Sequence, residues 1–286
     1  MWKFTDILVV LDTRKEQQMS VNRALQVAQT TGAQLHVLAP NPNATTESWE
    51  KLKAITAPLK QAGLTVNLHE TWHRSINETI IHVRQMEGCQ LVIKDAKPEG
   101  MLAQTFGTPK DWSLLRQCEV PVLLVKHDHS WEQAAMIAAV NADQDDYQHI
   151  QLNQAILDYA GCFARQFSSE LHLASAYPTV RLPFQDKGNG ITADQSYKAT
   201  CLHYARDYPI LEHHIHVEPG SAEALIPHLV KTQKARLLIM GTHARTGISA
   251  LAIGNTAEQL ISEVDTDMLI LQPRDHMPPL EEELGR

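Results

Sequence analysis

Three glycines punctuate one stretch of the chain. Gly241-Thr242-His243-Ala244-Arg245-Thr246-Gly247 follows the apolar run Leu237–Met240 directly, and Gly254-Asn255-Thr256 comes soon after. Residue types in this pattern suit the binding of an anion, above all a phosphate. Glycine at 241, 247 and 254 lets the backbone approach phosphate oxygens with no Cβ in the way. Asn255 and Thr256 open a helical pattern carrying Ala257, Leu260, Ile261 and Val264, and the N–H groups and dipole at that end favour negative charge. Their side chains add donors, and Arg245 adds a positive charge. A glycine-rich turn that merely joins a strand to a helix would show the same spacing. His243, inside the loop, could touch ribose or phosphate. No G-x-S-x-G elbow, H-E-x-x-H pair or G-K-[ST] loop occurs. The chain is therefore read as most simply not an enzyme, with no catalytic residue assigned.

The chain holds 15 histidines, and His213, His214 and His216 raise the question of a metal. His214 and His216 would share one face of a strand, and an imidazole pair can ligate zinc. With no cysteine or assured third ligand beside them, exposed or hydrogen-bonded histidines are the simpler reading, and zinc stays open as a cofactor. Cys89, Cys118, Cys162 and Cys201 lie far apart without a C-x-x-C, so buried reduced thiols are expected rather than a zinc ribbon or redox dithiol.

The elements that must position the loop are written twice. Leu91-Val92-Ile93-Lys94-Asp95 matches Leu237-Leu238-Ile239-Met240-Gly241. At the same offset Ser75-Ile76-Asn77-Glu78 falls opposite Ser221-Ala222-Glu223-Ala224, and Pro121–Val125 opposite Asp267–Leu271. Gln34-Leu35-His36-Val37 likewise resembles Glu170-Leu171-His172-Leu173. Apolar runs predict strands over 7–11, 35–39, 65–68, 91–94 and 120–125, then over 135–140, 171–175, 212–217, 237–240 and 268–271. Helical stripes fall at Val21, Ala24, Leu25 and Ala28, over 76–86 with a Ser75/Glu78 capping box, over about 112–118, and at Leu152, Ile156, Tyr159 and Phe163. Alternating strands and helices imply α/β architecture: two tandem, Rossmann-like, doubly wound sheets of five parallel strands, in the order 3-2-1-4-5, packed as an intramolecular pseudo-dimer. The expected domains are residues 1–130, 131–276 and an acidic tail over 277–286. An aperiodic insertion spans about 179–196.

Composition narrows the function. A net charge of −8 without a dense Lys/Arg run argues against nucleic acid or anionic membrane as partner. No apolar run approaches the ~18–20 residues of a membrane span, and no signal-peptide core opens the chain, so a cytoplasmic protein is expected.

Gly241-x-x-Ala244-x-x-Gly247 followed by Gly254-Asn255 resembles the signature of the universal stress protein family, G-x-x-G then, after nine intervening residues, G-S or G-T. The flanking Met240-Gly241-Thr242 and Arg245-Thr246-Gly247-Ile248-Ser249 extend the match, and the repeat is similar to that of tandem members. Thr108-Pro109-Lys110-Asp111-Trp112-Ser113-Leu114-Leu115-Arg116 resembles the degenerate first half of E-type tandem members. The resemblance implies stress response and ATP, or a related nucleotide, held in the second domain by Asn141, Met240, Gly241, Thr242, Arg245, Gly247, Gly254, Asn255 and Thr256. Asn141, with Asp143 nearby, stands where an acidic residue commonly meets adenine; Asp12 is its counterpart in the first half. Ala244 replaces the family's second glycine, at a cost of about 1–2 kcal/mol if the backbone there is left-handed. Asn255 replaces a hydroxyl residue.

The first half should not bind ATP, because Asp95 places a carboxylate where phosphate oxygens gather and Pro98 and Pro109 lack an N–H donor. Family members commonly dimerise through their final strands, so Val120–Val125 and Met268–Leu271 should meet within the chain, and a homodimer remains open. Two rival functions stand beside nucleotide binding. One is a carrier or sensor of an apolar or acylated small molecule, with Leu182, Pro183 and Phe184 covering the crevice; the other is a slow ATPase.

Overall fold

The computed structural model describes residues 4–15, 18–96, 114–115, 117–143, 147–179, 192–242 and 255–272. Contacts gather these residues into two compact units, one running to His129 and including Asp267–Gln272, the other running from Ser130 to Thr266.

The first unit is built on β1 (Asp6–Val10), α1 (Met19–Thr31), β2 (Gln34–Pro40), α2 (Thr46–Gln61), β3 (Val66–Thr71), α3 (Ile76–Met86), β4 (Leu91–Asp95) and β5 (Val122–Val125). Its parallel strands run in the order β3-β2-β1-β4-β5, as expected, with Ile7 paired to both Leu35 and Leu91. β1, β2 and β4 are almost wholly buried, which is why they read as unbroken apolar runs. α1 packs on β1, β4 and β5, α3 on β2 and α2 on β3. Gly32 closes α1 at φ 76°, donating its N–H to the Ala28 carbonyl at 2.7 Å, a left-handed stop that a side chain would strain. Ser75 caps α3 by accepting the Glu78 N–H at 3.2 Å, as its sequence predicts.

The last strand of the chain, β10 (Asp267–Leu271), completes this unit. It runs antiparallel to β5, with Met268 opposite Leu124, Leu269 opposite Leu123 and Ile270 opposite Val122. The expected pairing of final strands is present, and it covers an apolar edge that would otherwise invite aggregation. A buried ion pair reinforces it: an Arg23 Nη of α1 lies 2.7 Å from an Asp267 carboxylate oxygen, both side chains 1% exposed.

The second unit contains β6 (Ala135–Ala139), α4 (Tyr147–Gln166), β7 (Glu170–Tyr177), α5 (Ala193–Ala205), β8 (Ile215–Pro219), α6 (Ala222–Thr232), β9 (Leu237–Gly241) and α7 (Asn255–Glu263). Its parallel strands follow the order β8-β7-β6-β9, repeating the plan of the first. Leu152, Ile156, Tyr159 and Phe163 are all buried, as the stripe on α4 predicts. Trp131 meets Phe163 and Phe167 edge-on to fix the start of this unit.

Some expectations shift. Glu212–His214 forms a 3-10 turn and the strand begins at Ile215, so His214 and His216 do not lie on one strand. Leu25 is half-buried, while Arg23, one residue before Ala24 and absent from the predicted stripe, is buried with its acid. α5 starts inside the aperiodic insertion, whose residues 180–191, with Leu182, Pro183 and Phe184, lie outside the described residues. So do the tail and residues 112, 113 and 116 of the helix expected over about 112–118, of which Leu114, Leu115 and Gln117 are helical.

Candidate functional site

In the second unit the strand order reverses between β6 and β9, and ligands of open parallel sheets collect beyond the carboxyl ends of strands at such a point. Asn141 follows β6, and Met240, Gly241 and Thr242 end β9, with Ala139 paired to Met240. Four of the predicted residues are thereby brought to neighbouring strand ends. Asn153 of α4 clamps the Asn141 backbone, accepting its N–H at 3.1 Å and donating Nδ2 to its carbonyl at 2.5 Å. The Asn141 side chain accepts the Asp143 N–H at 3.1 Å, which bends the chain away from the strand. Ser175 of β7 holds the next turn residue, accepting the Ala142 N–H at 3.2 Å.

The first unit repeats this construction at Asp12. Its side chain accepts the Arg14 N–H at 3.1 Å, and Gln18 takes the clamping place, donating Nε2 to the Asp12 carbonyl at 2.6 Å. The equivalence of Asp12 and Asn141 thus extends to their hydrogen bonds. Their chemistry differs. Both carboxylate oxygens of Asp12 accept from the Arg14 guanidinium, each at 2.8 Å, and this pairing holds the carboxyl below its ordinary range despite partial burial.

The other half of each crevice differs more sharply. Asp95 ends β4 where Gly241 ends β9, and its carboxylate accepts the Ser20 N–H at 2.6 Å in the first turn of α1. A resident carboxylate therefore already occupies an amino-terminal turn that would attract an anion. Pro98 and Pro109 lie outside the described residues. At Gly241 a Cβ would stand 2.4 Å from Leu152 Cδ2 and 2.7 Å from its Cγ. Packing of α4 on β9 by itself demands glycine here. We expect Gly241→Ala to lower stability by about 1–3 kcal/mol through overpacking, read from thermal unfolding without ligand; an unchanged midpoint would mean that Leu152 turns aside freely.

Thr242 and Met240 are buried. Asn255 is the first residue of α7. Thr256 is exposed, and its hydroxyl donates to Glu223 at the start of α6. Burial pushes the Glu223 carboxyl up, but hydrogen bonds led by that from Thr256 outweigh it, and the net direction is down. The Thr256 hydroxyl is therefore engaged by an acid, whereas the first N–H groups of α7 have no acceptor within the helix. Arg245, Gly247 and Gly254, with His243 and Ala244, lie outside the described residues. Sequence reasoning missed Asn153 and Glu223. The signal for Asn153 was an amide side chain after the first strand of each half, Gln18 and Asn153.

The histidines also resolve differently. His214 stacks on His172 at 4.1 Å between centroids, and His172 Nδ1 lies 3.0 Å from His216 Nε2. The third donor missing from the sequence motif comes from β7, where Glu170, His172 and His214 bring ligand atoms within 4.8 Å of one another. Burial first, then the neighbouring histidines, pushes His172 down to about 4. All four cysteines are buried and outside any disulfide, as expected, and burial raises Cys89 and Cys201 to about 12 and Cys162 to about 11, which leaves those three thiols unreactive. Among the described residues no helix is long and apolar enough to cross a membrane.

Comparison with known proteins agrees with this architecture. The Universal stress protein family matches residues 3–126 and again 146–272. Universal stress protein E of Escherichia coli K12 is 30% identical over 97% of this chain and 97% of its own. A Universal stress protein E homolog of Haemophilus influenzae is also 30% identical, over 95% of this chain and 98% of its own. The crystal structure of a functionally unknown protein from Pseudomonas aeruginosa PAO1 superposes with a TM-score of 0.82 at 31% identity, covering 98% of this chain and 96% of that one. With two matched regions, a repeated parallel sheet and relatives aligned end to end, the chain belongs to the universal stress protein family and carries two of its domains in tandem.

Proposed function

We propose that the second domain binds ATP or a related nucleotide, and that the protein acts in the cytoplasm in stress response through that bound state. The observation that carries the reading is the contrast between the two crevices. Asn141, Gly241 and Thr242 end neighbouring strands without an acid among them, whereas Asp95 caps α1 and Asp12 is tied to Arg14 in the first unit. Adenine would meet Asn141, an amide able to donate and accept, beyond β6. The phosphates would lie against the first turn of α7, with Arg245, Gly247, Gly254, Asn255 and Thr256 around them.

Calorimetric titration of the full chain with ATP tests this. We expect one equivalent per chain, lost in Gly247→Glu and unchanged in Asp95→Ala. A second equivalent would show that the first domain also binds, and no binding at all would overturn the proposal. Native mass spectrometry of freshly purified protein separates the rival reading, since an acyl-containing mass would identify a carrier. Turnover that disappears with Gly247→Glu would identify a slow ATPase.

A further inference from the structure

We propose that His36, His69 and Glu87 form a site for one divalent transition-metal ion of the zinc class. His36 lies on β2, His69 on β3, and Glu87 directly follows α3, so three elements of the first unit meet there. One ligand atom from each lies within 4.8 Å of the others. His36 is 2% exposed. Its Nε2 stands 3.0 Å from Asp6 Oδ1 on β1 and 3.1 Å from the Gln34 amide nitrogen. Asp6 and Gln34 thus stand at Nε2, and Nδ1, on the other side of the ring, is turned toward Glu87. His36 Nδ1 faces Glu87 Oε2 at 3.2 Å, while His69 Nε2 faces Glu87 Oε1 at 3.9 Å.

Neither His36 Nδ1 nor His69 Nε2 has a hydrogen-bond partner, although both atoms are buried. Buried ring nitrogens that face a carboxylate without a hydrogen bond are costly, and a cation between them would relieve that cost. Zinc bonds of about 2.0–2.2 Å place tetrahedral donors roughly 3.3 Å apart, which the His36–Glu87 separation of 3.2 Å meets and which the His69–Glu87 separation of 3.9 Å would reach by a small closure. The Asp6–His36 contact matches the carboxylate that habitually orients a metal-bound imidazole. His69 and Glu87 also form part of the wall of a cavity of about 460 Å³, together with Trp49, His73, His82 and Met86. Three protein ligands with a fourth position open to a cavity is the arrangement in which zinc keeps a water or takes a small ligand.

The repeat supplies an internal comparison. His172 corresponds to His36, but its Nδ1 is engaged by His216 rather than backed by a carboxylate, and Glu170 is exposed. Tight binding is therefore assigned to the first unit alone.

The full chain, stripped with a chelator, is titrated with zinc chloride and separately with cobalt chloride. One tight equivalent is expected, with the visible absorption of tetrahedral cobalt and a raised melting temperature on zinc addition. Glu87→Gln and His69→Gln, both at partly exposed positions, should each abolish the cobalt absorption and weaken zinc at least tenfold. Asp6→Asn should weaken zinc by about 10–100-fold without removing a ligand, and His172→Gln should leave the tight equivalent intact. The absence of a tight equivalent in the wild type overturns the proposal. So does retention of that equivalent in Glu87→Gln and His69→Gln variants that melt like the wild type in the absence of metal.

Discussion

Replacing Asp267 with alanine should lower stability by about 3–5 kcal/mol, because it strands a buried guanidinium. Arg23 and Asp267 are each 1% exposed. Arg23 also donates to the His129 carbonyl at 2.7 Å, to the His127 carbonyl at 3.2 Å and to the Gln26 side chain. Asp267 Oδ1 accepts the N–H groups of Lys126 and His127, at 2.8 and 3.1 Å. One pair of charges thus fixes α1, the segment after β5 and the start of β10. Burial pushes Arg23 down, and the nearby acids Asp267 and Asp128 oppose that shift. Without Asp267 the cation keeps its carbonyl acceptors and the more distant Asp128, which tempers the loss without cancelling it. The paired replacement Arg23→Met with Asp267→Leu should cost less than either single change, since no unpaired charge remains buried. Urea denaturation of the wild type, Asp267→Ala, the two single changes and the double variant checks this; a double variant less stable than Asp267→Ala would mean that packing, not charge, dominates the site.

The strands were legible because both faces of each central strand are covered. Ile7–Val10 and Leu237–Met240 are buried without a break, so the sequence runs apolar without a break. Helix α2 was not legible. It buries only Leu52, Thr56 and Leu59 and carries Pro58 inside, leaving a thin stripe, although Thr45 and Ser48 form a capping box at its start. The crevice of the second unit was half legible: glycine after a strand marks the place, but the pattern does not say whether a ligand or Leu152 needs the space. The histidine and acid groups were illegible for a different reason. His36, His69 and Glu87 come from three separate elements, and only the register of β2 on β3 makes them neighbours. The repeat did align His36 with His172, yet a shared histidine on a buried strand carries no message until its ring nitrogens can be followed to their partners.

The second large effect concerns the chain cut after residue 130. Two domains in sequence suggest two separable fragments, but the first unit draws its last strand from the far end of the chain. A fragment of residues 1–130 lacks β10. Val122, Leu123 and Leu124, all buried in the intact protein, then lose the cover of Met268, Leu269 and Ile270, and β5 becomes an apolar edge. Arg23 loses Asp267 in the same cut. The ion-pair loss alone is about 3–5 kcal/mol, a large share of the roughly 5–15 kcal/mol by which native proteins are stable. The fragment should therefore aggregate, or run as an expanded chain without a cooperative unfolding transition. Arg23→Met within the fragment should recover part of the loss by removing the stranded charge, while the bare edge of β5 persists. Size-exclusion chromatography and thermal unfolding followed by circular dichroism check both statements. A monomeric 1–130 fragment with a sharp transition near that of the intact chain would show that the first five strands hold their fold without β10, and that the ion pair supplies register rather than stability.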